Sequence, residues 1–218
     1  MDIAFDIETI PNSGMIDRLP PIEVKAGNLK DPAKIAEKEA AAKAEQVDKM
    51  ALSPLYGRVC AWVAVQSKDN ASRSRCICAD SDAEETRVIE AAFDELHEAA
   101  RIVTYNGNGF DLPFLYRRAV LLGIDPRQWG LPTLAEMIAR YNNKRHVDVM
   151  QVWCGFGNYE KLDNIAGAML EDSKIEIDFH DFPELIKSAE GREKLLAYCT
   201  QDVFLTMKIW NRIAGILI

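Results

Sequence analysis

The chain has 218 residues, a formal net charge of −8, 48% hydrophobic residues and five cysteines. That length suits one α/β domain spanning 1–218, and the acidic balance argues against a generic basic nucleic-acid binder, though not against an enzyme that meets phosphate through divalent ions. No apolar run is long enough to span a bilayer, a candidate strand stands at residue 2 where a signal peptide would lie, and the cysteines show no zinc spacing, so a reduced cytoplasmic protein is expected.

The first element is the apolar run in MDIAFDIETIPN, a strand carrying Asp6 and Glu8 on one face, roughly 7 Å apart. Two like charges held there repel. Either the pair is solvated at a strand end or it holds a metal. A Pro- and Gly-punctuated excursion over 12–56 follows, with AKIAEKEAAAKAEQVDKMA as an exposed helix of mixed charge. It reads as a solvated spacer or as a flap over a substrate.

Two strands come next, GRVCAWVAVQS (57–67) and SRCICA (74–79), with KDNASR as the turn. DAEETRVIEAAFDELHEAA (82–100) places Val88, Ile89, Ala92, Phe93 and Leu96 at helical spacing beside an acidic face that should look outward. RIVTYN (101–106) is a short strand, and DLPFLYRRAVLLG a helix with Pro113 in its first turn and Gly123 closing it. HVDVMQVW is read as a further strand, EKLDNIAGAML as a short helix and GREKLLAYCTQDVFLTMKIWNRIAG as a long last one. Strands alternating with helices after an initial strand pair predict a mixed β-sheet flanked by helices.

Two more acids stand at marked positions. Asp111, in YNGNGFDLP, sits at a helix start, where the dipole and free N–H groups favour a carboxylate. Asp202, in LAYCTQDVF, shares a helix face with Tyr198 four residues earlier. Each has a plain structural explanation by itself, a helix cap for the first and a half-buried aromatic beside a surface acid for the second.

Taken in order, FDIETIP, YNGNGFDLPFLYRRA and YCTQDV resemble the motifs of the DEDD superfamily of 3′→5′ exonucleases, most closely the proofreading exonuclease domain of family-B DNA polymerases. The position four before the last Asp is Tyr198, as in the tyrosine branch; the position five before, which holds the histidine of the other branch, is Ala197. The resemblance implies an α/β fold of the ribonuclease H-like type. It implies two divalent cations, Mg²⁺ or Mn²⁺, held by Asp6, Glu8, Asp111 and Asp202, with Asp6 between the ions. A phenol with an ordinary pKa near 10 is a poor base at neutral pH, so Tyr198 is expected to orient the attacking water.

The same resemblance sets Ile7, Thr9 and Ile10 beside the terminal nucleotide, and Asn106 and Phe110 near the substrate strand. A turn-forming Asn and a core Phe are the alternatives. Arg117, Arg118, Arg140, Lys144 and Arg145, with Tyr141 as a stacker, are candidates for a single-strand track, or else solvated surface. The implied substrate is nucleic acid with a 3′ end, single-stranded DNA favoured over RNA, with a polymerase or repair partner acting in trans and no membrane. The rival readings are a catalytically idle exonuclease-like binding module and an endonuclease on the same fold. The presence of all four acids and the tyrosine favours the exonuclease.

Overall fold

The computed structural model describes residues 1–24, 31–68, 71–78, 84–171 and 175–218. Alternation along the first strand, β1 (Asp2–Pro11), puts Ile3, Phe5 and Ile7 into one hydrophobic cluster and Ala4 into another, on the opposite face. Asp6 and Glu8 therefore lie on the Ala4 face. β1 is the middle strand of a five-stranded sheet completed by β2 (Gly57–Lys68), β3 (Ala71–Cys78), β4 (Arg101–Thr104) and β5 (His146–Asp148), in the order β3-β2-β1-β4-β5. β1–β2 and β2–β3 are antiparallel, β1–β4 and β4–β5 parallel.

The helices are α1 (Pro32–Asp48), α2 (Glu85–Glu98), α3 (Asp111–Leu121), α4 (Leu134–Met137), α5 (Val149–Cys154), α6 (Leu162–Leu170), α7 (Phe182–Leu185) and α8 (Ala189–Leu217). α2 and α3 cover the Ile3–Phe5–Ile7 face, and the residues of α6, α7 and α8 join the cluster on the other. The expected α2 stripe, Val88, Ile89, Ala92, Phe93 and Leu96, is fully buried, and each large side chain there contributes about 1.5–3 kcal/mol. Its acidic face does not look wholly outward. Glu95 accepts from Gln66 Nε2 at 2.6 Å, and Glu85 is buried in an ion pair with Arg118.

That pair gathers several segments. Glu85 accepts from Arg118 Nε at 2.8 Å and Nη2 at 2.5 Å and from the Val59 N–H at 2.8 Å, while Arg118 Nη1 donates to the Pro54 carbonyl at 3.0 Å. Arg118 is thus part of the scaffold and not of a nucleic-acid track. Arg145 is likewise committed, donating to the Leu96, His97 and Ala99 carbonyls at the end of α2.

Two sequence expectations fail in detail. The β2–β3 turn is tighter than KDNASR, because Lys68 already pairs with Ala71; Asp69 and Asn70 lie outside the described residues. HVDVMQVW is strand only through Asp148, whose carboxylate accepts from the Gln151 N–H at 3.3 Å and caps α5. A short parallel partner and a competing cap end the strand after three residues. The 12–56 excursion returns to its starting point: Asn12 N–H donates to the Tyr56 carbonyl at 2.9 Å, Met50 and Ala51 are buried, and α1 buries nothing, as expected of an exposed helix. Among the described residues no helix is long and apolar enough to cross a membrane.

His146, 2% exposed, joins β5 to β4 and α4. Its Nδ1 lies 3.2 Å from the Met137 carbonyl, which can only accept, so Nδ1 carries the hydrogen and Nε2 accepts from the Thr104 hydroxyl at 2.8 Å. Burial lowers its pKa from 6.5 to about 4. A group depressed on folding contributes stability above its unfolded pKa and loses it as pH falls towards the folded value. Stability should therefore drop by about 3 kcal/mol between pH ~6.5 and ~4 on this account. Urea melts of His146→Gln across that range should show a shallower decline than the parent; parallel curves would remove His146 as the cause.

Candidate active site

One end of the sheet collects the acids predicted from sequence. β1 is straight through Glu8 and then shifts register against β2, Glu8 pairing with Ala61 but Thr9 with Val59, so that Cys60 is bulged out. A bulge increases local twist and re-aims the side chains beyond it. Before the shift, Asp6 and Glu8 face α8. The Cys199 thiol of that helix donates to Glu8 Oε1 at 3.5 Å.

Asp111 is the first residue of α3, and its Oδ1 accepts from the Ile7 N–H at 3.2 Å, fixing the helix start against β1. It also shares a side-chain hydrogen bond with Asp6, and burial holds its carboxyl well above the usual carboxylate range. A hydrogen bond between two carboxyls requires a proton on one of them. Asp202, 7% exposed, projects from α8 and with Asp6 lines a cavity of about 320 Å³ that also takes in Tyr105, Asn106, Tyr159, Lys161, Asp163 and Thr206.

Tyr198 stands one turn before Asp202, its ring edge-on to Phe182 with centroids 5.8 Å apart. Burial, and then the neighbouring Asp202, Glu8 and Asp6 carboxylates, push the phenol well above its usual pKa. The protonated phenol is therefore its ordinary form at neutral pH. Cys199 is held up in the same way by burial and by Glu8, which keeps its sulfur in the thiol form.

The arrangement thus unites Asp6, Glu8, Asp111, Tyr198 and Asp202, from three separate elements. Among the described residues, no three His, Cys, Asp or Glu side chains converge tightly enough to hold an ion as they stand. In this arrangement Asp6 and Asp111 bond one another. The donor set is nevertheless all carboxylate, which is the chemistry that hard divalent ions prefer.

The residues expected beside the substrate fall differently. The side chains of Ile7 and Ile10 are each 3% exposed and belong to the two cores, leaving backbone for contact. The Thr9 hydroxyl donates to the Ala51 carbonyl at 2.7 Å. Phe110 is half-buried, 5.5 Å from the Phe114 ring. Asn106 opens into the cavity from a left-handed turn at φ 64°.

That turn depends on a residue the sequence reading passed over. Asp148 accepts from the Asn106 N–H and the Asn108 N–H, both at 3.0 Å, and so pins the segment between β4 and α3. Gly107 is required within it, because a Cβ there would lie 2.1 Å from Thr104 Oγ1. Lys161, Asp163 and Tyr159 were also missed. They sit in or beside EKLDNIAGAML, where helical periodicity gave no sign that one end faces a site. Thr206, four residues after Asp202 on α8, was legible from the same spacing that marked Tyr198.

A family model described as "Predicted 3'-5' exonuclease related to the exonuclease domain of PolB" matches residues 52–216. DNA polymerase 1 of Saccharolobus solfataricus is 29% identical over 135 residues, covering 57% of this chain and 15% of the polymerase. DNA polymerase 1 of Aeropyrum pernix is 30% identical over 119 residues, 50% of this chain and 12% of that protein. Among solved structures, the family B DNA polymerase of Pyrobaculum calidifontis superposes with a TM-score of 0.65 at 23% identity, over 98% of this chain and 24% of the polymerase. The likeness bears out the ribonuclease H-like fold. The chain spans only a small fraction of these relatives.

Proposed function

The chain belongs to the family of 3′–5′ exonucleases related to the exonuclease domain of PolB, and we propose that it is one functional domain that removes nucleotides from the 3′ end of single-stranded or frayed nucleic acid, DNA in preference to RNA, as nucleoside 5′-monophosphates. The observation that supports this reading best is the meeting of Asp6 with Asp111 and of Tyr198 with Asp202, Glu8 and Asp6, beside a cavity that Asp6 and Asp202 line.

Asp6, Glu8, Asp111 and Asp202 would hold two Mg²⁺ or Mn²⁺ ions. The close approach of the Asp6 and Asp111 carboxyls fits that assignment, since facing carboxylates need positive charge between them. When bound, such ions supply charge for the attacking and leaving oxygens of the phosphodiester. The remaining roles belong to the chain. Tyr198, held protonated, donates a hydrogen bond that orients the attacking water. Asn106 and Phe110 bound the terminal nucleotide, and Ile7, Thr9 and Ile10 meet it through backbone, their side chains being engaged elsewhere. A polymerase or repair enzyme acting in trans is the partner this activity calls for.

Tyr198→Phe should slow turnover by about 10²-fold, the scale of losing one positioned hydrogen-bond donor, and less than loss of a carboxylate does. An equal loss in single-turnover measurements would show that the phenol does more than orient water. The reaction class is tested by product analysis after incubation with single-stranded DNA and Mg²⁺. Nucleoside 5′-monophosphates appearing from the first turnovers support the proposal, whereas internal fragments or 3′-monophosphates would overturn it.

A further inference from the structure

Beside the Asn106 turn lies a second cavity, of about 280 Å³, lined by Asn108, Tyr141, Asn143, Gln151 and Phe156 among others. Tyr141 is 81% exposed and meets Phe156 edge-on, with centroids 5.1 Å apart, and the Arg140 guanidinium lies 4.6 Å over the Phe156 ring. Tyr141 holds φ at 63°, a left-handed conformation that a non-glycine residue rarely adopts. Asn108 Nδ2 donates to Gln151 Oε1 at 2.8 Å, while its buried Oδ1 has no hydrogen-bond partner among the described residues.

The geometry points to this cavity as a binding pocket for an upstream base of the substrate strand; the inference rests on the exonuclease reading of the neighbouring site. Exposed aromatic faces stack on bases of any sequence, and an arginine beside them serves the backbone. Continuity with the first cavity carries the argument further. Asn106 opens into the first and Asn108 into the second, separated by at most about 7 Å of chain. The loop after α5 is shared in the same way, giving Tyr159 to the first cavity and Phe156 to the second. A strand with its 3′-terminal nucleotide against Asp6 and Asp202 would reach this pocket further upstream.

The test compares kcat/KM on a twelve-nucleotide single strand and on a dinucleotide, which is too short to fill both cavities. Tyr141→Ala should lower the value on the longer strand by about tenfold, within the roughly 5–150-fold that stacking one base is worth, and leave the dinucleotide unchanged. Tyr141→Phe should restore the longer substrate, and Phe156→Ala should repeat the length-dependent loss. Equal losses on both substrates, or no loss on the longer one, would overturn the pocket. A parent protein that degrades neither substrate would overturn the exonuclease reading and this inference with it.

Discussion

Asp202→Asn and Asp6→Asn should each reduce hydrolysis by about 10⁴-fold or more, the scale seen when one member of a group that acts as a unit is removed. Each substitution keeps the volume, removes the negative charge and puts an NH2 donor in place of one acceptor oxygen. Asp202 contributes from α8 and Asp6 from β1, and both line the same cavity. Neither change should prevent folding, since the helix and strand are held by cores of which these side chains are not members. Thermal unfolding of the purified variants provides the control. A well-folded variant retaining metal-dependent hydrolysis near the parental rate would contradict the site assignment.

The largest effect on stability should come from the Glu85–Arg118 pair, whose side chains are 2% and 7% exposed. Truncating one partner strands a charge inside the protein, at about 3–5 kcal/mol. For Arg118→Met the uncompensated group is the Glu85 carboxylate, left with the Val59 N–H. For Glu85→Leu it is a guanidinium left with the Pro54 carbonyl. In a chain of this size the corresponding fall in Tm is on the order of 10 °C. The double variant should recover much of the loss, because well-packed apolar replacements for both partners avoid the desolvation cost. Urea unfolding decides it: single variants within about 1 kcal/mol of the parent, or a double variant as unstable as their sum, would mean that the pair is not the clamp described.

This clamp shows where sequence reading stops. Arg118 was a plausible basic contact and Glu85 part of an outward acidic face, yet each is explained only by the other, 33 residues away. Periodicity identified the apolar side of α2 correctly because burial of Val88, Phe93 and Leu96 recurs every turn. It could not show that two acids on the same helix turn inward, since that depends on donors supplied by β2 and α3.

The candidate site was more legible. Asp6 and Glu8 share a face because β1 alternates, and Tyr198 and Asp202 share one because α8 has 3.6 residues per turn. Both are local rules that need no knowledge of the fold. The meeting of those pairs with Asp111 was carried by the order of motifs and not by any spacing. Asp148 was hidden for a different reason. It lies in an apolar stretch that reads as strand, and its function of holding the Asn106 turn through two backbone amides leaves no pattern in the residues it serves. Ile7 is buried by the alternation of β1, whereas the fates of Thr9 and Ile10 follow from the bulge at Cys60 and from the return of the excursion at Ala51, neither of which a linear sequence announces.

The central claim, metal-dependent removal of nucleotides from a 3′ end, is tested most directly with a 5′-labelled single-stranded DNA oligonucleotide. It should be incubated with Mg²⁺ or Mn²⁺, with EDTA, and as a copy blocked by a 3′-phosphate. The account predicts a ladder that shortens from the 3′ end, vanishes with EDTA and is hindered by the block. Cleavage that ignores the block, or no cleavage of DNA or of RNA run alongside, would contradict it.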